Sequence, residues 1–231
     1  MKRHYFYYPF SYLTLFIYLI FFFFFYMFFI FGIPYAFVKL GIPPNIAMFL
    51  FLTAIVGSYI NIPIKRLETK VPMSPQGSVN FWGLKYQIPY TPHTKTLLAI
   101  NLGGAIIPIF ISSWVFASLL IHTYYILAIK SIIAIAIVAI VSYVSAKPVK
   151  GMGIAIPAFI PPIVASLTAL FMAPENPVAV AYIAGTLGTL IGADLMHMKD
   201  IEKLGAPVAS IGGAGTFDGV FLAGIIAILL I

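Results

Sequence analysis

Apolar residues in this chain fall in long, nearly unbroken runs, neither alternating nor confined to one helical stripe. Runs of this kind predict helices that are apolar all round, as in a bilayer, and they lack the alternation of a membrane β-barrel. Seven spans are predicted. The first runs from about Phe10 to Phe31 and contains the phenylalanine run 21–25. The second, about Asn45 to Ile60, follows Pro43 and Pro44, which suit a helix start. The third is about Thr96–Leu120 and the fourth about Tyr124–Ser145. The fifth, about Gly153–Met172, holds Pro157, Pro161 and Pro162 and is expected to be kinked or broken. The sixth is about Pro177–Met198. The seventh, about Val208–Ile231, opens on the glycine-rich "SIGGAGTFDG" and is likewise expected to be broken at its entry. The fold class is therefore an all-α polytopic bundle, with residues 1–231 as a single integral membrane domain. The polar stretch 62–95, rich in proline and partly alternating, is expected to form an extended cytoplasmic loop or hairpin. No internal repeat of the inverted-transporter kind is evident.

Charge orients these spans. Lys2, Arg3, Lys65, Arg66, Lys70, Lys85, Lys95, Lys147, Lys150, Lys199 and Lys203 all fall on one side of a seven-span chain, leaving only Lys39 and Lys130 near the other. The asymmetry predicts a cytoplasmic N-terminus and an external C-terminus, and an even span count would spoil it. It also accounts for the net charge of +7 without nucleic acid, because no basic patch is interleaved with stacking aromatics. With 62% hydrophobic and 8% charged residues, the composition fits a multi-pass protein of the cell membrane. The first apolar run exceeds a signal-peptide core and has no small-residue cleavage site after it, so it is expected to be retained. The absence of cysteine removes disulfides, thiolate metal sites and cysteine nucleophiles.

Candidate chemistry rests on the acids, the rarest class. Glu68, Asp200 and Glu202 fall in basic loops, and Glu175 in a short external turn. Asp194, in "GTLIGADLMHMKD", and Asp218, in "GGAGTFDGV", lie within or at the edge of apolar spans. A carboxylate at a helix centre costs roughly 2.5–3.5 kcal/mol on insertion scales, so such acids ordinarily face a cavity, a partner or an ion path. If regular helix begins near Thr216, Asp218 falls in the first turn, where the helix dipole favours negative charge. Gly212, Gly213 and Gly215 would then lift the helix start to the acid's depth, and both acids would face one pocket.

Two carboxyls in one pocket allow three chemistries. They can share a proton and activate water, bind a divalent cation with further oxygen ligands, or relay protons and bind a coupling ion. Each acid could instead cap backbone groups or pair with a lysine. His197, three residues after Asp194, shares its helical face and could add a metal ligand or simply sit at the interface. Asn101 opens "NLGGAIIP" as another candidate pocket residue, and Asn61, Thr186, Thr189 and Ser210 are further polar groups near the spans. Most of the glycines, such as Gly185, Gly188 and Gly192, suit close helix packing. No resident cofactor is implied beyond a divalent or coupling ion. The expected partners are the lipid bilayer and either a membrane peptide substrate or a small ion.

The stretches "AGTLGTLIGADL", "ASIGGAGTFDGVFLAGI", "NLGGAIIP" and "PAFIPPIVA" resemble a family of prokaryotic multi-pass membrane proteins catalogued as domain of unknown function 1614. That resemblance implies relatives and carries no activity with it. An acid on each of two adjacent spans, the second behind glycines, is also similar to the intramembrane aspartyl proteases of the presenilin, signal peptide peptidase and prepilin peptidase kind. That resemblance implies a proteolytic role for Asp194 and Asp218. Thr216 and Phe217 stand between Gly215 and Asp218 where those enzymes have none, and Ala193 stands where presenilin-like enzymes have tyrosine. Three functions stay open at this point: an intramembrane aspartyl-protease-like hydrolase, an ion- or proton-coupled transporter using Asp218, and a non-catalytic scaffold or assembly factor.

Overall fold

A computed structural model describes residues 12–68, 78–81, 84–87, 95–149, 153–203, 205–213 and 219–231. Its described residues are mostly helical, in seven apolar segments. Four are long and apolar enough to cross a membrane: α1 (Tyr12–Lys39), α3 (Leu102–Ile121), α4 (Tyr125–Ser145) and α6 (Pro177–Leu195). Three are shorter: α2 (Pro44–Gly57), α5 (Ile160–Met172) and α7 (Gly219–Leu229). The chain is thus a helical membrane protein.

The expectation of an all-α fold needs correction, because three small sheets accompany the helices. β1 (Asn61–Glu68) pairs antiparallel with β4 (Lys95–Asn101), and β4 pairs parallel with β7 (Val208–Ile211), giving the order β1-β4-β7. β2 (Ser78–Phe81) and β3 (Leu84–Gln87) form a hairpin inside the polar stretch 62–95, and β5 (Lys147–Val149) pairs with β6 (Gly153–Ala155). Three predicted spans are shortened as a result. The apolar residues 96–101, 153–155 and 208–211 are strands, and the helices start later, at Leu102, Ile160 and Gly219. Periodicity could not separate these cases, since a short continuous apolar run suits a buried strand as well as a helix. The prolines of the fifth segment do not break a helix. Pro161 and Pro162 lie in the first turn of α5, where a missing N–H costs nothing.

Helix α6 is central, packed against α3, α4, α5 and α7. Small residues permit this. A β-carbon on Gly192 would lie 2.1 Å from the Ala139 carbonyl oxygen of α4, and one on Gly185 would lie 2.9 Å from the Ala223 carbonyl oxygen of α7. The main core spreads from this helix through Phe37, Tyr182 and Phe221, whose rings meet edge to face. The first part of α1, Tyr12–Met27, buries no residue and leaves its phenylalanines exposed on the outside of the bundle. A second, smaller core lies beneath the sheet and includes Leu98, Ala105, Leu190, Ile201, Ile211 and Val220.

The two ends of the bundle differ. The sheet gathers at the end where α6 finishes, together with the β5–β6 pair and the 3₁₀ turn Met198–Lys203. At the far end, Lys130 of α4 pairs with Glu175, and the lysine hydrogen bond holds the Glu175 carboxyl below its ordinary range. A lowered acid pKa stabilises the fold at neutral pH, and this contribution fades as pH falls through the lowered value. In Lys130→Met the Glu175 titration, followed by carboxyl-carbon NMR, should move up to the ordinary glutamate range.

Candidate functional site

Two strand-to-helix passages run side by side at the sheet end. β4 passes through Asn101–Gly104 into α3, and β7 passes through Gly212 and Gly213 toward α7. Both carry Gly-Gly-Ala in sequence, at residues 103–105 and 212–214. The local conformations differ: Gly103 and Gly104 lie in the π-helical turn Leu102–Ile106, whereas Gly212 and Gly213 form a left-handed turn after β7.

The backbones touch at these glycines. A β-carbon on Gly104 would lie 1.9 Å from the Gly212 carbonyl oxygen, and one on Gly103 would lie 2.1 Å from the Ala54 carbonyl oxygen of α2. Gly212 and Gly213 have φ of +76° and +89°, in the left-handed region that favours glycine. The chain therefore reverses sharply out of β7 while staying in contact with the start of α3.

A polar network fixes the first passage. Asn101 is fully buried. Its side-chain oxygen accepts from the Gly104 N–H at 2.7 Å, capping the π-helical turn Leu102–Ile106 that opens α3. Its amide donates to the Ser58 carbonyl at 2.8 Å and to Asn61 Oδ1 at 3.0 Å. Asn61 Oδ1 also accepts from Ser210 Oγ at 2.6 Å, which links β1 to β7 across β4. Asn101 is thus the hub where the end of α2, all three strands and the start of α3 meet. Sequence reasoning placed it in a pocket but missed Ser58 and the pairing of Asn61 with Ser210, which needs the β1–β4 register. Asn101→Leu would leave the buried Gly104 N–H and the Ser58 carbonyl without their partner, while Asn61 keeps Ser210. At about 1–3 kcal/mol for each unmet group, it should lower the midpoint of denaturant unfolding in detergent by the equivalent of roughly 2 kcal/mol or more.

Asp194 holds the second passage. It lies near the end of α6, where π-helical turns at Ala184–Gly188 and Leu190–Leu195 widen the helix and re-aim its side chains. Asp194 Oδ2 accepts from the Gly212 N–H at 2.7 Å, so the half-buried carboxylate clips the end of α6 to the residue that follows β7. His197 turns elsewhere. Its Nδ1 lies 3.1 Å from the carbonyls of Gly192 and Ala193, and its ring lies tilted against Tyr143 of α4 with centroids 4.6 Å apart. The histidine thereby satisfies orphan carbonyls at the end of its own helix. Among the described residues no group of three His, Cys, Asp or Glu side chains is placed to hold a metal. Of the candidate residues, Asp194, His197, Asn101, Gly212 and Gly213 are therefore located, while Gly215, Thr216 and Asp218 lie outside the described residues.

Neither the curated proteins nor the solved structures contain a match to this chain. A family model does match, over residues 55–230, which takes in every strand and all of the helices from α3 onward. The chain therefore belongs to the family of proteins of unknown function DUF1614.

Proposed function

We propose that this protein is an intramembrane hydrolase of the aspartyl-protease type, with Asp194 and Asp218 as its acid pair. The observation that carries the reading is the Asp194–Gly212 hydrogen bond. It ties one acid to the glycine segment that leads to the other, six residues further along the chain. The packing of α6 against α7 favours the same pairing. In such a pair one carboxyl is ionised and the other protonated. The ionised group takes a proton from water as its oxygen attacks the peptide carbonyl carbon, and the protonated group donates to the carbonyl oxygen. The gem-diol then collapses, the C–N bond breaks, and the amine nitrogen leaves with a proton from the acid pair. Glycine, serine and strand backbone near Asp194 give an extended peptide hydrogen-bonding partners that a helical one would not use.

The test is cleavage of fluorogenic single-span peptides by the protein reconstituted in liposomes of the cell-membrane type. Cleavage should be lost in Asp194→Asn and in Asp218→Asn, and should be blocked by a hydroxyl-bearing peptide isostere of the gem-diol. Cleavage that survives both substitutions would sink the proposal. So would its absence in the intact protein alongside an ion flux lost in Asp218→Asn, the mark of a transporter. Normal function of both acid variants with failure on deletion of 62–95 would mark a scaffold.

A further inference from the structure

The two ends of the bundle differ in how their cations are engaged by the described chain. At the far end both lysines are engaged. Lys130 pairs with Glu175, while Lys39 donates to the Ile228 carbonyl at 3.5 Å and lies 5.6 Å from the Tyr35 ring. At the sheet end, Lys203 pairs with Asp200, and Lys95 sits opposite Glu68 in the β1–β4 register. Lys65 and Arg66 on β1, Lys147 on β5 and Lys199 after α6 are exposed and make no ion pair among the described residues. Lys65 and Arg66, adjacent on β1, thus leave two cations open to a counter-charge from outside the described chain.

Their surroundings indicate its source. β1 is exposed over most of its length on both faces, and among the described residues it has a strand on one edge only. Beside its cations it exposes Ile62 and Ile64, at 42% and 56%. Met196 and Met198 are likewise exposed beside Lys199. Two bare isoleucines would be costly on a strand standing in water. A strand with apolar side chains and adjacent cations suits the boundary between acyl chains and headgroups, where apolar groups dip inward and basic groups meet phosphate. The strand begins at Asn61, four residues after α2 ends, so it leaves the bundle at the level of the helix ends.

We propose that the β1 flank of the sheet end, centred on the adjacent Lys65 and Arg66, is a surface for the headgroups of anionic phospholipids. It binds lipid selectively on one leaflet, since the cations of the other end are already engaged. The inference does not depend on the hydrolase reading.

The experiment compares the intact protein and the double variant Lys65→Gln/Arg66→Gln in nanodiscs of zwitterionic phosphatidylcholine and in nanodiscs with about one third phosphatidylglycerol. Retained lipid is read by native mass spectrometry after release into uncharged detergent. The intact protein should retain phosphatidylglycerol in preference to phosphatidylcholine. The double variant should lose that preference by on the order of tenfold, and salt above about 0.5 M should erase it. The charge-keeping Lys65→Arg/Arg66→Lys variant should behave like the intact protein, and the thermal unfolding of the double variant reports whether its fold survives. Lys39→Gln/Lys130→Gln should leave lipid preference unchanged. Equal retention of both lipids by the intact protein would overturn the proposal, as would undiminished preference in the folded double variant. Displacement of the lipid by millimolar inorganic phosphate would also overturn it, by showing a site for the free anion.

Discussion

Asp194→Asn should fold like the parent protein and lose cleavage of the single-span peptide by about 10²–10⁴-fold. The two outcomes separate because the residue has two tasks. The hydrogen bond from the Gly212 N–H needs only an acceptor at the position of Oδ2, at 2.7 Å, and an asparagine carbonyl oxygen supplies one in the same geometry. Water activation needs a group that takes up and returns a proton, which an amide cannot do at neutral pH. Asp194→Ala should show both losses. Without an acceptor, the Gly212 N–H is left short of a partner at a buried turn, at a cost of about 1–3 kcal/mol, and α6 loses its clip to the β7 turn. Unfolding midpoints in detergent, measured with the peptide assay, distinguish the cases. If Asp194→Asn cleaves normally and only Asp194→Ala fails, Asp194 is a structural cap and the acid-pair reading fails.

A large loss of stability is expected from a single methyl group at the paired glycine turns. In Gly104→Ala the new β-carbon would lie 1.9 Å from the Gly212 carbonyl oxygen, a rigid backbone atom with no rotamer to escape into. In Gly212→Ala it would lie 2.5 Å from the Ala105 side chain and 2.6 Å from the Ala105 nitrogen, and φ at +76° adds a left-handed penalty. Overpacking costs about 1–3 kcal/mol, and the left-handed conformation about 1–2 kcal/mol more. Relief requires the start of α3 to part from the turn after β7, which also pulls Gly212 from Asp194. Gly41→Ala is the control. Gly41 has φ of +83° but nothing within 4 Å of its β-carbon position, so only the conformational penalty applies. The predicted order of unfolding midpoints is Gly41→Ala well above Gly212→Ala and Gly104→Ala. Parent-like stability of Gly104→Ala would mean that the two passages do not touch.

The Asn101 hub shows where sequence reading stops. Its residue type and its place ahead of two glycines are visible in the chain, and they mark it as a candidate. Its three hydrogen-bond partners span residues 58, 61 and 104, and Asn61 in turn reaches Ser210, 149 positions away. Only the register of β1 on β4, and of β4 on β7, brings these together. His197 is the converse case. Its spacing from Asp194 allows either a metal ligand or an interfacial histidine, and the π-helical end of α6 directs its ring nitrogen to carbonyls of the same helix. A motif built on regular helical spacing fails where the helix is not regular.

The sequence by itself determined that the chain is helical and lies in a membrane, because long apolar runs can satisfy their backbone groups in lipid only by coiling. It also marked Asp194 as exceptional, because charge is costly there. Which apolar residues would instead be strands was decided by tertiary structure. The runs at 96–101 and 208–211 are as apolar as a helix start, and they become strands because each finds the other as a neighbour in a parallel pair. That pairing brings Gly104 against Gly212 and gives the Asp194 carboxylate its backbone partner. Local composition could not specify contacts between residues about a hundred positions apart. They form because several helices intervene, fold back, and return the chain to the same end of the bundle.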